Sequence, residues 1–253
     1  MEWLWQDVGA SQVLIPPKPQ GIIHFLGGAL VGAWPQWSYR GLLERLAAHG
    51  YIIITQSVIP DLDHRELAAK AYAQFNEVVQ ELQLPAALPV YGMGHSLGCK
   101  LQLLIGGLFP VERAGQVLMS FNNFGLQAAL PWLAALRHVP VLDQLPVEFS
   151  PSPKETLDFI RRRYRVSRNV LIRFADDTLD ETPQLAEVLR EKFPDGLRLH
   201  YLMGNHLTPL GLEVNWGPKG AFSPLDALGQ WCKEWLFQDL LTLERVIVRS
   251  LRP

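Results

Sequence analysis

The chain has 253 residues, 48% hydrophobic and 19% charged, with 23 Lys and Arg against 25 Asp and Glu for a formal net charge of −2. That composition supports a large folded core, and its near-neutral balance gives no electrostatic reason to expect a nucleic-acid partner. Two cysteines, Cys99 and Cys232, are too few for a disulfide framework or a cysteine zinc site and fit a reducing compartment. The opening Met1-Glu2-Trp3-Leu4-Trp5 lacks the basic-then-apolar pattern of a secretory signal, and no apolar run reaches the ~18 residues of a bilayer span.

In chain order, Trp3 to Val8 and Ser11 to Ile15 read as two short strands around Gly9, closed off by Pro16, Pro17 and Pro19. Gly21 to Leu26 is an apolar strand running into Gly27-Gly28-Ala29. A helix follows near Tyr39 to His49, with Leu42, Leu43 and Leu46 inward and Gly50 past its C-terminal end. Tyr51 to Thr55 is a β-branched run of the kind covered on both faces. Asp61 or Asp63 can cap the next helix, which carries Leu67, Ala71, Phe75, Val78 and Leu82. A short strand at Pro89-Val90-Tyr91, a helix to Phe109 and a strand from Gln116 to Ser120 complete a regular alternation. Such alternation predicts an α/β fold with a mostly parallel central sheet and helices on both faces.

The alternation breaks between Phe121 and Arg168. Leu126 to Leu145 is apolar but interrupted by Pro131 and Pro140, and Ser152-Pro153-Lys154-Glu155 reads as a capping box. The whole stretch, about 122–168, is expected to be a cap inserted after the sixth strand of a single 1–253 domain, with ordinary core helices as the other possibility. Its basic run, Arg161 to Arg168, reads either as a solvated helix end or as a contact for a partner or an anionic group. Regular order resumes with a strand at Asn169 to Phe174, a helix from about Pro183 to Lys192, a strand at Leu197 to Leu202, and an amphipathic stretch from Pro224 to Leu243.

The chemistry concentrates at Gly94-His95-Ser96-Leu97-Gly98, a G-x-S-x-G pattern between a strand and a helix whose stripe is Leu97, Leu101, Leu104 and Leu108. A serine hydroxyl is a weak nucleophile at neutral pH, so it must be presented on a sharp turn beside a base. The rival reading, a dinucleotide-binding turn, needs G-x-G-x-x-G, whereas Gly92, Gly94 and Gly98 are spaced G-x-G-x-x-x-G. Two further polar groups follow successive later strands: Asp177, in Ala175-Asp176-Asp177-Thr178, and His206, in Met203-Gly204-Asn205-His206.

The order Ser96, Asp177, His206, each after a strand, resembles the α/β-hydrolase fold. Asp176 and Asp180 compete with Asp177 for the acidic position. The resemblance implies an oxyanion hole from the backbone N–H groups of Leu26 and Leu97, because His24-Phe25-Leu26-Gly27-Gly28 sits where the family often has His-Gly-x-Gly-Gly. Phe25 departs from that pattern, and His24 reads as a residue that fixes the loop. Gly27 to Ala33 with Pro35-Gln36 and Tyr39-Arg40, Glu148 to Pro153, Asp176 to Thr182, and Gly204 to Pro209 look like signatures of a branch from cyanobacteria and chloroplasts, domain of unknown function 1350.

The expected activity is cleavage of a carboxylic ester or thioester with a hydrophobic acyl part, through an acyl-serine intermediate and with no cofactor or metal. The expected partner is a small acyl substrate, in cytoplasm or chloroplast stroma. An acyltransferase uses the same residues, and a non-catalytic binding or assembly protein on the same scaffold is the alternative from another class.

Overall fold

The computed structural model describes residues 3–29, 31–125, 148–211 and 224–252, and within 224–237 it describes the backbone alone. Among the described residues, eight strands form one sheet: β1 (Gln6–Val8), β2 (Ser11–Leu14), β3 (Gly21–Leu26), β4 (Tyr51–Gln56), β5 (Val90–His95), β6 (Gly115–Met119), β7 (Asn169–Phe174) and β8 (Leu197–Leu202). Their order across the sheet is β1-β2-β4-β3-β5-β6-β7-β8. The first hairpin pairs antiparallel, with itself and with β4, and every pairing from β4 to β8 is parallel. The chain builds β3 and β4 outward on one side, then returns to lay β5 on the other side of β3. Carboxyl ends of strands at such a reversal diverge and leave a crevice, the usual ligand position in an open α/β sheet.

The pleat decides what each face buries. Ile23, Phe25, Ile53, Tyr91, Met93, Val117, Met119, Val170 and Ile172 point to one face. There they meet Leu42, Leu43 and Leu46 of helix α2 (Arg40–Ala48), which follows the short α1 (Pro35–Ser38). The same face packs on Leu240, Leu243 and Ile247 of α7 (Pro224–Leu251), a helix longer than the expected Pro224–Leu243 stretch. Residues one step along point the other way, where Ile22, Ile52 and Ile54 pack on Phe75 and Val78 of α3 (His64–Glu81), and Leu118 and Leu171 on Cys99 and Leu103 of α4 (Leu97–Leu108). The period-two switch of burial within β3, β4, β6 and β7 is why these runs are apolar throughout.

Helix starts follow local capping chemistry. Asp63, rather than Asp61, caps α3, accepting from the N–H groups of Arg65 and Glu66. Ser152 and Glu155 form the expected capping box at α5 (Pro153–Arg163), where Pro153 occupies the first turn. Between β7 and β8 lies α6 (Thr182–Lys192).

The two readings of 122–168, a cap or ordinary core helices, can be compared at its described end. The described end of the stretch read as a cap is part of the sheet's own helical layer. Ile160 and Tyr164 are buried with Cys99, Leu103, Leu171, Leu185 and Leu189, so α5 is the crossover helix between β6 and β7. An amphipathic helix fits a cap or a sheet-covering layer equally well, and only tertiary packing separates the two. The remainder of the expected cap, 126–147, lies outside the described residues. The basic run is divided as well: Arg161 faces Asp158 and Glu191, whereas Arg168 reaches the Ser250 carbonyl.

Because Ile160 is wholly buried against the sheet, Ile160→Ala should lower unfolding stability by about 2–5 kcal/mol. Urea unfolding should show this as a reduced midpoint with an unchanged slope. A midpoint equal to wild type would place α5 outside the core.

Candidate active site

The site begins with the turn from β5 into α4. Ser96 has φ 55 and ψ −121, a conformation that side-chain-bearing residues avoid. The turn closes so tightly that a Cβ on Gly94 would lie 2.6 Å from the Cys99 nitrogen, and one on Gly98 would lie 2.0 Å from the Leu26 carbonyl oxygen. Glycine is required at both places because backbone occupies the space a Cβ would take. The Ser96 N–H donates to Met119 O at 3.0 Å, tying the turn to the end of β6.

Two loops deliver the partners. After β7, the N–H of Ala175 bonds to Leu202 O and that of Asp176 to Gly204 O, so the loops after β7 and β8 are laced together. After β8, Asn205 donates its N–H to Thr208 Oγ1 and accepts from Leu207 N through its side chain, both at 2.9 Å. This turn fixes His206 between its neighbours. The geometry is then a continuous chain: His206 Nε2 is 3.1 Å from Ser96 Oγ, and His206 Nδ1 is 2.9 Å from Asp177 Oδ2 and 3.1 Å from Oδ1. With Nδ1–H donating to the carboxylate, Nε2 is left as the acceptor facing the serine hydroxyl.

The Asp177 side chain has no exposed surface. Burial by itself raises its carboxyl, but hydrogen bonds from His206 and from the N–H of Leu179 outweigh it, and the net shift is downward. Ser120 Oγ adds to this from the end of β6, although it makes no hydrogen bond of full geometry. The other two acids are elsewhere. Asp176 is exposed. Asp180 is buried against Arg173 and accepts from Thr182, holding the loop ahead of α6.

Leu26 ends β3 and Leu97 opens α4; the Leu26 carbonyl rests on Gly98, two residues beyond Ser96, which puts both leucines beside the Ser96 turn. His24 bonds to distant segments rather than to the loop after β3. It is buried within β3, with Nε2 2.8 Å from Gln56 Oε1 and Nδ1 2.8 Å from an Arg113 nitrogen. Among the described residues, no group of three or more His, Cys, Asp or Glu side chains is placed to share a metal ion, and no helix is long and apolar enough to cross a membrane.

Two residues at the site were not singled out by sequence reasoning. His95, next to Ser96, is buried with its ring centroid 4.9 Å from that of His206. Tyr39, also buried, has its hydroxyl 2.7 Å from His95 Nδ1. Adjacency to the serine was the available signal for His95; for Tyr39 there was none beyond its place in the Tyr39-Arg40 pair.

Sheet order, strand-to-helix turn and loop placement together define an α/β-hydrolase fold. The chain belongs to the family described as "Protein of unknown function (DUF1350)", whose model matches residues 4–253. Solved structures of the same fold include S-formylglutathione hydrolase from Staphylococcus aureus, 14% identical, with TM-score 0.59 over 99% of this chain and 96% of that one. A second is a fluorophosphonate-binding serine hydrolase from the same organism, 13% identical, with TM-score 0.59 over 100% and 98%. A third is the thioesterase domain from the curacin biosynthetic pathway, 16% identical, with TM-score 0.52 over 83% and 95%. At these identities the likeness concerns the fold. No curated protein matches the chain by sequence at a significant level.

Acid sensitivity follows from the buried imidazoles. Burial, as the largest cause, pushes His64 and His95 down from 6.5 to about 3, and lowers His24 as well. The unfolded chain therefore holds more protons than the folded one between pH 6.5 and about 3. This contribution to stability is complete above the upper limit and is lost progressively as pH falls through the window. At about pH 5 each of the two costs about 2 kcal/mol relative to neutral pH. Urea midpoints should fall steeply from about pH 7 to about pH 5; a flat profile would contradict neutral burial.

Proposed function

We propose that this protein is a serine hydrolase acting on a carboxylic ester or thioester through an acyl-serine intermediate, without a cofactor. One observation carries the reading: Ser96 Oγ, the His206 imidazole and the Asp177 carboxylate lie in one hydrogen-bonded chain with Nε2 facing the hydroxyl. In the proposed reaction, Ser96 Oγ bonds to the substrate carbonyl carbon while its proton passes to His206 Nε2. Asp177 holds the imidazole orientation and stabilises its charged form. Collapse of the tetrahedral intermediate breaks the bond to the alcohol or thiol, which leaves with the proton from His206. Water, giving a proton to His206, then attacks the acyl-serine; collapse returns that proton to Ser96 and releases the acid.

The Leu26 and Leu97 N–H groups are assigned to the oxyanion, assisted by the positive end of α4. A hydrophobic acyl part is favoured by the setting. Trp34, Trp37, Ile59, Leu62 and Leu207 are exposed large apolar residues, and all lie in segments after β3, β4 or β8, on the sheet edge that carries Ser96. The names of structural neighbours, a thioesterase and an S-formylglutathione hydrolase, support both ester and thioester substrates as first choices.

A fluorophosphonate, whose tetrahedral adduct mimics the oxyanion intermediate, should label Ser96 stoichiometrically, and Ser96→Ala should abolish labelling. Asp177→Asn should lower kcat on an acyl ester by about 10³–10⁴, and His206→Ala by a comparable factor. Loss of one oxyanion donor should cost on the order of 10²–10³. Thioesters and esters of graded chain length then define the acyl preference through kcat/KM. Folded protein that reacts no faster than a surface serine would instead favour the binding-protein reading.

A further inference from the structure

We propose that His95 and Tyr39 are positioning residues, forming one buried hydrogen-bond chain that fixes the backbone of His206 and the Gly28 loop to the serine turn. This rests on the hydrolase reading and extends it to residues that do not touch the reacting atoms.

The chain has four members whose roles are forced by chemistry. The Gly28 N–H donates to the Tyr39 hydroxyl oxygen at 2.9 Å. Tyr39 O and His95 Nδ1 are 2.7 Å apart, and His95 Nε2 is 2.9 Å from the His206 carbonyl oxygen. A carbonyl only accepts, so Nε2 carries a proton. Burial holds the ring neutral, with its pKa lowered to about 3, so Nδ1 is an acceptor and the Tyr39 hydroxyl must donate to it. Donors therefore all point one way, from Gly28 through Tyr39 and His95 to His206, and each bond polarises the next.

Covalent connectivity gives the chain its consequence. His95 precedes Ser96, so the elbow itself measures the position of the His206 backbone. Tyr39 lies 56 residues from His95 and His206 lies 111 residues from it, yet one imidazole connects both. At its other end, the chain holds Gly28, two residues past Leu26, against the same turn: a Cβ on Gly28 would lie 3.1 Å from Ser96 Cβ. A bare apolar contact would fill the space but would leave the His206 carbonyl free to rotate. With a hydroxyl and an imidazole there, the two loops and the elbow have one mutual arrangement.

His95 also isolates the proton. Its ring faces His206 but stays neutral, with Nε2 already protonated and Nδ1 occupied by Tyr39. A proton taken from Ser96 therefore remains on His206 for the leaving group.

The experiment starts with wild-type protein and a fluorophosphonate at Ser96, then compares His95→Asn, His95→Gln and Tyr39→Phe. Asparagine places an acceptor near Nδ1 but no donor near the His206 carbonyl; glutamine can place an N–H near Nε2. His95→Asn should lower kcat and the labelling rate ~10–100-fold, as expected for misplacement of a base by a fraction of an ångström to an ångström. KM should stay within ~2-fold, and His95→Gln should recover activity to within ~3-fold of wild type, separating positioning from binding. Tyr39→Phe should slow labelling ~10-fold. Thermal midpoints of the two His95 variants should agree.

His95→Asn labelled at the wild-type rate would overturn the inference, as would equal losses in the Asn and Gln variants. If neither His95 variant folds, Tyr39→Phe decides, because it removes one hydroxyl without changing the ring; an unchanged rate there overturns the proposal. Wild-type protein that leaves Ser96 unlabelled removes the hydrolase reading and this inference with it.

Discussion

The structure depends on a serine held where serine does not rest. Ser96 at φ 55 and ψ −121 stores strain of roughly 1–3 kcal/mol, which persists only because its surroundings leave no relaxed alternative. Gly94 and Gly98 let backbone pack against backbone on both sides of the turn, and the Ser96 N–H is held by Met119 O. That packing sets the sheet around it. β5 must lie beside β3 for the Leu26 carbonyl to reach Gly98, and the chain reversal between β4 and β5 brings these carboxyl ends together. Proximity of the loop after β3 to the Ser96 turn is thus a property of strand order.

The elbow was legible in the sequence because its requirements are local: a strand, two glycines, a serine and an apolar helical stripe within one short segment. Asp177 was a candidate by the same kind of rule, and the loop after Phe174 turns Asp176 to solvent and Asp180 onto Arg173. The full length of β5 was less readable. Gly92 and Gly94 weaken a strand reading, since glycine has low β propensity, yet at Gly94 backbone occupies the space a Cβ would take, 2.6 Å from the Cys99 nitrogen. The layer of α5 was unreadable for another reason. The stripe of Leu157, Ile160 and Tyr164 says that one face is covered without saying by what. Burial of Tyr164 with its hydroxyl on Asn169 Oδ1 supplies that answer only in three dimensions.

Long-range polar pairing was the least visible. His24 reads as a residue that fixes the loop after its strand, because it stands just ahead of Gly27-Gly28. Its partners Gln56 and Arg113 come from distant segments and complete a buried network with Gln102, whose amide donates to the His24 carbonyl. Tyr39 and His95 escape sequence reasoning in the same way. A buried tyrosine on a helix-start motif and a histidine at the end of a strand each have an ordinary packing explanation, and only their shared hydrogen bond, joined to the His206 carbonyl, distinguishes them. Apolar periodicity announces itself along a chain, whereas a polar chain is defined by closure between segments.

The same logic applies on the other side of α4. Lys100, one turn past Ser96, is buried and donates to Pro151 O at 2.8 Å. Burial pulls its ammonium down to about 8, while Glu148, Glu181 and Glu155 oppose that shift and favour the charge. A lone buried ammonium would be costly; here it has a carbonyl to bond and carboxylates nearby. Around it, Asn123 donates its N–H to Glu181 and its side-chain amide to Pro153 O. A Cβ on Gly125 would lie 2.9 Å from Glu148 Oε2, so the chain leaves the described fold at 125 and rejoins it at 148 in nearly the same place. On both sides of 126–147 the described chain is therefore tied down by polar contacts gathered around one buried cation on α4.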